Sequence, residues 1–241
     1  MLRRLGLWII CLFSAIGVLA APAFAQTPAK NVGVFGDSLG DGVWGGMYLV
    51  AKQHPGYQLF RHGKPGAGIS HPDFPDWLKT LPGMLDADHL DIAVVMFGAN
   101  DQLALRDVDG KGYPYKSEGW TRVYTARMKG MMDEFATRKI AVLWLGLPIT
   151  RKPDYNAGAV YLNQLYADNV AAAGGTFRPL IDDFRGADGN YAPYLPDEQG
   201  KMRQIRADDG IHFTTTGYEL IAAKVYDRLA TPPFAPAPPA K

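Results

Sequence analysis

The sequence predicts an α/β domain of three layers, with a mostly parallel sheet of about five strands between two layers of helices. Short apolar runs of strand length alternate with longer segments of helical period between residues 31 and 229. The composition is that of a globular protein, with 47% hydrophobic and 20% charged residues, and 241 residues are enough to bury one sizeable core.

The elements follow in order. The run 31–35 (NVGVF) reads as a first strand and 42–53 as a helix after it. A second strand at 57–61 leads through a glycine-rich stretch to a helix at 73–85. The apolar run 91–97 (DIAVVMF) is the third strand. A long helical segment at 119–138 then precedes the fourth strand, 140–147 (IAVLWLGL). A helix at 156–173, a fifth strand at 176–181 and a helix at 215–229 complete the alternation, the last opening on a threonine cluster able to cap it.

The two ends read differently. Arg3 and Arg4 precede the apolar run 5–20, and Ala23-Phe24-Ala25 offers a small-x-small cleavage site, so residues 1–25 are expected to be a removable signal peptide and the protein periplasmic or secreted. The apolar stretch falls a little short of the about 20 residues that span a bilayer, and no membrane span is expected after cleavage. The only cysteine, Cys11, lies within that run and not at a cleavage point, which argues against a lipoprotein. Residues 26–230 form the expected catalytic domain. Residues 231–241, with Pro232, Pro233, Pro236, Pro238 and Pro239, are expected to form a disordered or polyproline-like tail.

Loss of Arg3 and Arg4 takes the formal charge from +1 to −1, so no strong global field draws the mature chain to nucleic acid or anionic lipid. The substrate must be recognised locally. In a sheet of this kind ligands bind at the carboxyl ends of the strands. There the sequence places Gly36-Asp37-Ser38-Leu39-Gly40 after strand one, Gly63 to Gly68 after strand two and Gly98-Ala99-Asn100-Asp101 after strand three, with Asp209-Gly210-Ile211-His212 just before the last helix.

These residues suit acyl transfer. A serine hydroxyl needs a neighbouring base, and the base a third group that fixes its tautomer. Two of the five histidines, His89 and His212, have a carboxylate three residues earlier, and only the Asp209–His212 pair lies in a glycine-containing loop that lets both side chains point one way. Donors for a developing oxyanion are available in the Ser38 N–H, a glycine N–H of the second loop and the Asn100 amide.

In type and order these four blocks resemble those of the SGNH (GDSL-like) hydrolase family, over nearly the whole mature domain. The resemblance implies a flavodoxin-like central sheet, Ser38 as nucleophile, Asp209 and His212 as its partners, and Ser38, Gly68 and Asn100 as oxyanion donors. The second block departs from the family pattern, lacking its asparagine, and leaves Gly66 as the alternative to Gly68. Asp37 and Asp101, beside the catalytic turns, are expected to support the loops rather than carry protons. His62 and His71 flank the glycine loop, while His54 and His89 have no visible partner.

No cofactor or metal is expected. No residue pair has the spacing of a zinc or calcium motif, and neither glycine stretch has the form of a P-loop or a dinucleotide fingerprint. Two long segments flank the expected site: 102–120, with Arg106, Lys111, Tyr113, Tyr115 and Trp120, and 183–208, with Tyr191, Tyr194, Lys201, Arg203 and Arg206. Their aromatic and basic groups suit a sugar with an anionic or polar substituent. The expected substrate is a small acyl ester, such as acetyl, of a periplasmic or envelope glycan, removed by water or moved to another acceptor. The alternatives are a lipase or thioesterase acting on lipid and a non-catalytic carbohydrate-binding envelope protein.

Overall fold

A computed structural model describes residues 29–236 apart from Glu198. The expected signal peptide and residues 237–241 lie outside the described residues.

The five strands and five helices that the sequence predicts are present and alternate, and four short strands are added to them, fourteen elements in all. They are β1 (Lys30–Gly36), α1 (Ser38–Val50), β2 (Tyr57–Gly63), α2 (Phe74–Asp88), β3 (Ile92–Met96), β4 (Leu105–Arg106), β5 (Gly112–Tyr113), α3 (Glu118–Thr137), β6 (Ala141–Leu145), α4 (Pro153–Ala172), β7 (Thr176–Arg178), β8 (Tyr194–Pro196), β9 (Met202–Gln204) and α5 (Thr215–Leu229). The central sheet has five parallel strands in the order β2-β1-β3-β6-β7. Helices α1 and α5 pack together on one face, and α2, α3 and α4 form a neighbouring series on the other.

β3 (IAVVM) is buried at every position because helices cover both faces of the sheet. β1 holds Val32, Val34 and Phe35 in the same core, beside Trp144 from β6. In register, Gly36 at the end of β1 pairs with Gly63 on one side and Met96 on the other, which aligns the carboxyl ends of three strands at one edge. The chain runs outward from β1 to β2 and returns to β3 on the opposite side, making this edge the topological switch point where such sheets bind ligands.

Three features depart from the sequence expectations. First, α1 begins at Ser38 rather than at residue 42. The buried Asp37 caps it by accepting from Leu39 N–H at 2.8 Å. Its glycines weaken the helical signal, but Gly40, Gly42 and Gly46 are needed for close approach: a Cβ on Gly40 would lie 2.8 Å from the Phe35 carbonyl oxygen and 2.9 Å from that of Met96. Second, two short antiparallel hairpins, β4–β5 and β8–β9, sit within the long segments. Third, packing continues past residue 230. Phe234 is fully buried with the Arg228 guanidinium 4.7 Å above its ring, so the expected tail is folded onto the body as far as Pro236. One aromatic anchor outweighs the proline content there. No helix among the described residues is long and apolar enough to cross a membrane.

Candidate active site

Ser38 is the first residue of α1, at the switch-point edge. Its Oγ lies 2.7 Å from His212 Nε2, and His212 Nδ1 lies 2.6 Å from Asp209 Oδ2. The three side chains, separated by up to 174 positions in sequence, form one continuous hydrogen-bonded relay.

The serine side of this relay is held by Asp37. One carboxylate oxygen caps α1, and the other accepts from the N–H groups of Gly98 and Ala99 at 2.9 and 2.8 Å, tying the start of α1 to the loop after β3. Burial, aided by the charge of Asp101, pushes the Asp37 carboxyl up to about 7, against the three N–H donors that favour its charged form.

Asn100 follows directly in that loop, and its amide donates to the Ala67 carbonyl oxygen at 2.8 Å. The N–H groups of Ser38 and Gly68 meet no acceptor among the described residues. A Cβ on Gly68 would lie 3.6 Å from Asn100 Cβ and 2.5 Å from Asp101 Oδ1, so only a residue without a side chain fits there. Gly66 is exposed with a left-handed φ of +81° and has no neighbour within 4 Å of a Cβ position. Gly68, not Gly66, therefore abuts Asn100.

Asp101 secures this loop from beneath. It accepts from Ser70 N–H at 2.8 Å, Ser70 Oγ at 2.9 Å and the Tyr124 hydroxyl at 2.8 Å. Tyr124 in turn meets the Tyr166 hydroxyl, which donates to the Phe97 carbonyl. Desolvation raises the Asp101 pKa. Arg127 on α3, also buried, reaches the same loop and donates to the Ile69 carbonyl at 2.7 Å.

The histidine side has another construction. Asp209 Oδ1 accepts from the backbone N–H groups of Ile211 and His212 at 2.8 and 2.9 Å, an Asx-type turn that leaves Oδ2 for the imidazole. Gly210 permits it with φ +75°. Partial burial works to raise the Asp209 pKa. The bonds from the His212 ring and the two N–H groups outweigh it and bring the carboxyl down to about 2, so it stays charged beside the imidazole.

Behind this turn lies Arg206, fully buried, whose guanidinium donates to the carbonyls of Ile149 at 2.8 Å and Ile211 at 2.7 Å and sits 4.1 Å over the Phe213 ring. Burial pushes its pKa down to about 10.

The structure thus brings together every residue expected at the site and reassigns several around it. Arg206 is an internal tie, not a substrate contact. Trp120 is wholly buried, donating its indole N–H to the Leu103 carbonyl. Arg106 bonds its own hairpin at Gly110 and Arg203 approaches Asp197. His62 pairs with Asp88 at 2.8 Å and His71 with Asp73 at 2.5 Å, and His54 stacks on Tyr226. Sequence reading missed Tyr155 and Lys152, which also flank Asn100. The edge rule applied to the loop after the fourth strand would have found them. Among the described residues no group of three or more His, Cys, Asp or Glu side chains could hold a metal ion.

The chain belongs to the family described as "Protein of unknown function (DUF459)", whose model matches residues 31–228. No curated protein matches it. Solved structures share its fold at low identity. A GDSL-like lipase from Bacteroides thetaiotaomicron is 16% identical, with a TM-score of 0.56 over 83% of this chain and 87% of that one. The periplasmic domain of a lipopolysaccharide acetyltransferase from Salmonella ser. Paratyphi A is 11% identical, with a TM-score of 0.59 over 86% and 85%. An acetylxylan esterase from Geobacillus stearothermophilus is 13% identical, with a TM-score of 0.59 over 83% and 94%. The chain has the SGNH-hydrolase fold.

Proposed function

We propose, from the premise that this DUF459 chain has the SGNH-hydrolase fold, that it is a serine-dependent ester hydrolase or acyltransferase acting on short acyl esters of a periplasmic or envelope glycan. The observation that carries the reading is the Ser38–His212–Asp209 relay at the switch-point edge, beside the N–H groups of Ser38 and Gly68, which meet no acceptor among the described residues, and the amide of Asn100, one of whose two hydrogens is bonded to Ala67.

In this reading His212 Nε2 takes the Ser38 proton as Oγ attacks the ester carbonyl, while Nδ1–H stays bonded to Asp209. The tetrahedral oxyanion is held by the N–H groups of Ser38 and Gly68 and by the second amide hydrogen of Asn100, the first being committed to Ala67. The intermediate collapses as the His212 proton passes to the departing alcohol, leaving the acyl group on Ser38. Water or a sugar hydroxyl, deprotonated by His212, then attacks the acyl-enzyme, and Ser38 recovers its proton as the acyl group leaves.

Two of the similar folds are named for acetyl groups on saccharides, which supports an acetyl-sized acyl group. The apolar run 5–20 with its cleavage site supports export. The test is hydrolysis of p-nitrophenyl esters from acetate to long chains, with Ser38→Ala alongside. The expected result is short-chain activity that the substitution removes. Activity rising toward long chains would replace this reading with the lipid-hydrolase one, and activity surviving in Ser38→Ala would remove the serine mechanism.

A further inference from the structure

Asn100 faces an open cleft of about 750 Å³ that runs between the loop after β3 and the start of α4. Tyr115 and Tyr155 wall it, and Gln102, Lys152 and Asp154 also line it. Both tyrosine hydroxyls are tied to backbone, Tyr115 to the Gly158 carbonyl at 3.2 Å and Tyr155 to the Ala99 carbonyl, so the rings are fixed platforms and not mobile side chains. Ala99 is also the residue whose N–H binds Asp37, so the Tyr155 wall stands one peptide from the cap of the nucleophile's helix.

The chemistry of these walls selects a class of ligand. The lining is mainly apolar, from the two tyrosine rings, Leu103 and Pro153, and an amide, an ammonium and a carboxylate stand among these groups, a mixture suited to the apolar face and hydroxyl rim of a sugar ring rather than to a bare acyl chain. Lys152 and Asp154 have opposite charges, and neither takes part in an ion pair among the described residues. Their fields offset one another, and the nearby Lys116 ammonium is engaged by the Tyr115 and Tyr161 rings and the Ala157 carbonyl, so the lining itself carries no net charge to attract an acidic sugar, while Lys152 and Asp154 remain free to bond hydroxyls.

We propose that this cleft is the alcohol-side subsite and holds a neutral pyranose ring of the acylated glycan between Tyr115 and Tyr155, with Lys152 and Asp154 bonding its hydroxyls. The proposal rests on the serine-esterase reading and adds where the sugar lies and that it is uncharged.

The experiment measures kcat/KM for three acetyl esters, a monoacetylated methyl glucoside, the corresponding monoacetylated glucuronide and ethyl acetate, in the wild type, Tyr155→Leu, Tyr155→Phe and Lys152→Ala. The wild type is expected to prefer the glucoside to both other esters. Tyr155→Leu should lower the glucoside-to-ethyl acetate ratio about tenfold, Lys152→Ala severalfold, and Tyr155→Phe, which keeps the ring, about twofold or less. Lys152 is exposed, so its substitution reads the cleft without disturbing the fold. Ratios unchanged in both Tyr155→Leu and Lys152→Ala would overturn the subsite, and preference for the glucuronide would overturn its neutrality. If no ester is turned over by any form, the esterase reading fails separately. Calorimetric binding of a neutral xylo-oligosaccharide to the wild type then decides the cleft: binding weakened by Tyr155→Leu supports it, and absence of binding overturns it.

Discussion

The sheet-edge half of the site, with Ser38, Gly68 and Asn100, hangs on two fully buried carboxylates, whereas the half with Asp209 and His212 lies on a partly exposed turn tied down by one buried guanidinium. The aspartates of the two halves are shifted in opposite directions. Burial pushes Asp37 up to about 7. Asp209, where partial burial is outweighed by three hydrogen bonds, comes down to about 2. A carboxylate that only fixes backbone can sit in the core, but one that must stay charged to orient an imidazole belongs near solvent with donors around it. In the proposed mechanism the oxyanion donors act through preorganisation, which fits the heavier bracing of their half.

That contrast can be broken at either half. On the donor side, Asn100→Ala should lower kcat for a short ester by about 10²–10³-fold with little change in KM, as expected when a donor acts mainly on the transition state. Equal kcat in the variant would take Asn100 out of the site. On the histidine side, Arg206→Met nearly keeps the volume but leaves the buried Ile149 carbonyl without its partner, at about 1–3 kcal/mol, and the half-buried Ile211 carbonyl as well, at less. The melting temperature should fall. At a temperature well below the transition kcat should also drop by about tenfold, because Ile211 immediately precedes His212. A lowered melting temperature with unchanged kcat would make Arg206 a packing residue and nothing more.

What the sequence made legible divides along physical lines. The strands stood out because their apolar runs are short and continuous, and Ser38, Gly68 and Asn100 because they follow such runs, whereas Asp209 and His212 were legible from their spacing in a glycine-containing loop before the last helix. The start of α1 was hidden, since Gly40 and Gly42 read as loop by propensity while the fold needs glycine there for close approach to the Phe35 and Met96 carbonyls and to Tyr218. Hairpins of two- and three-residue strands carry too few positions for an alternating pattern. Arg206 and Trp120 looked like binding-loop residues because composition does not reveal burial. Only tertiary contacts turn a cation in a basic stretch into an internal tie.

The central claim is that His212 and Asp209 make Ser38 a nucleophile. It is tested most directly by reacting the protein with an active-site-directed fluorophosphonate, then locating the adduct by peptide mass mapping in the wild type, Ser38→Ala and His212→Ala. The account predicts one adduct per chain on Ser38, absent in Ser38→Ala and formed far more slowly in His212→Ala. An adduct on another residue, or none on a folded wild-type protein, would contradict it.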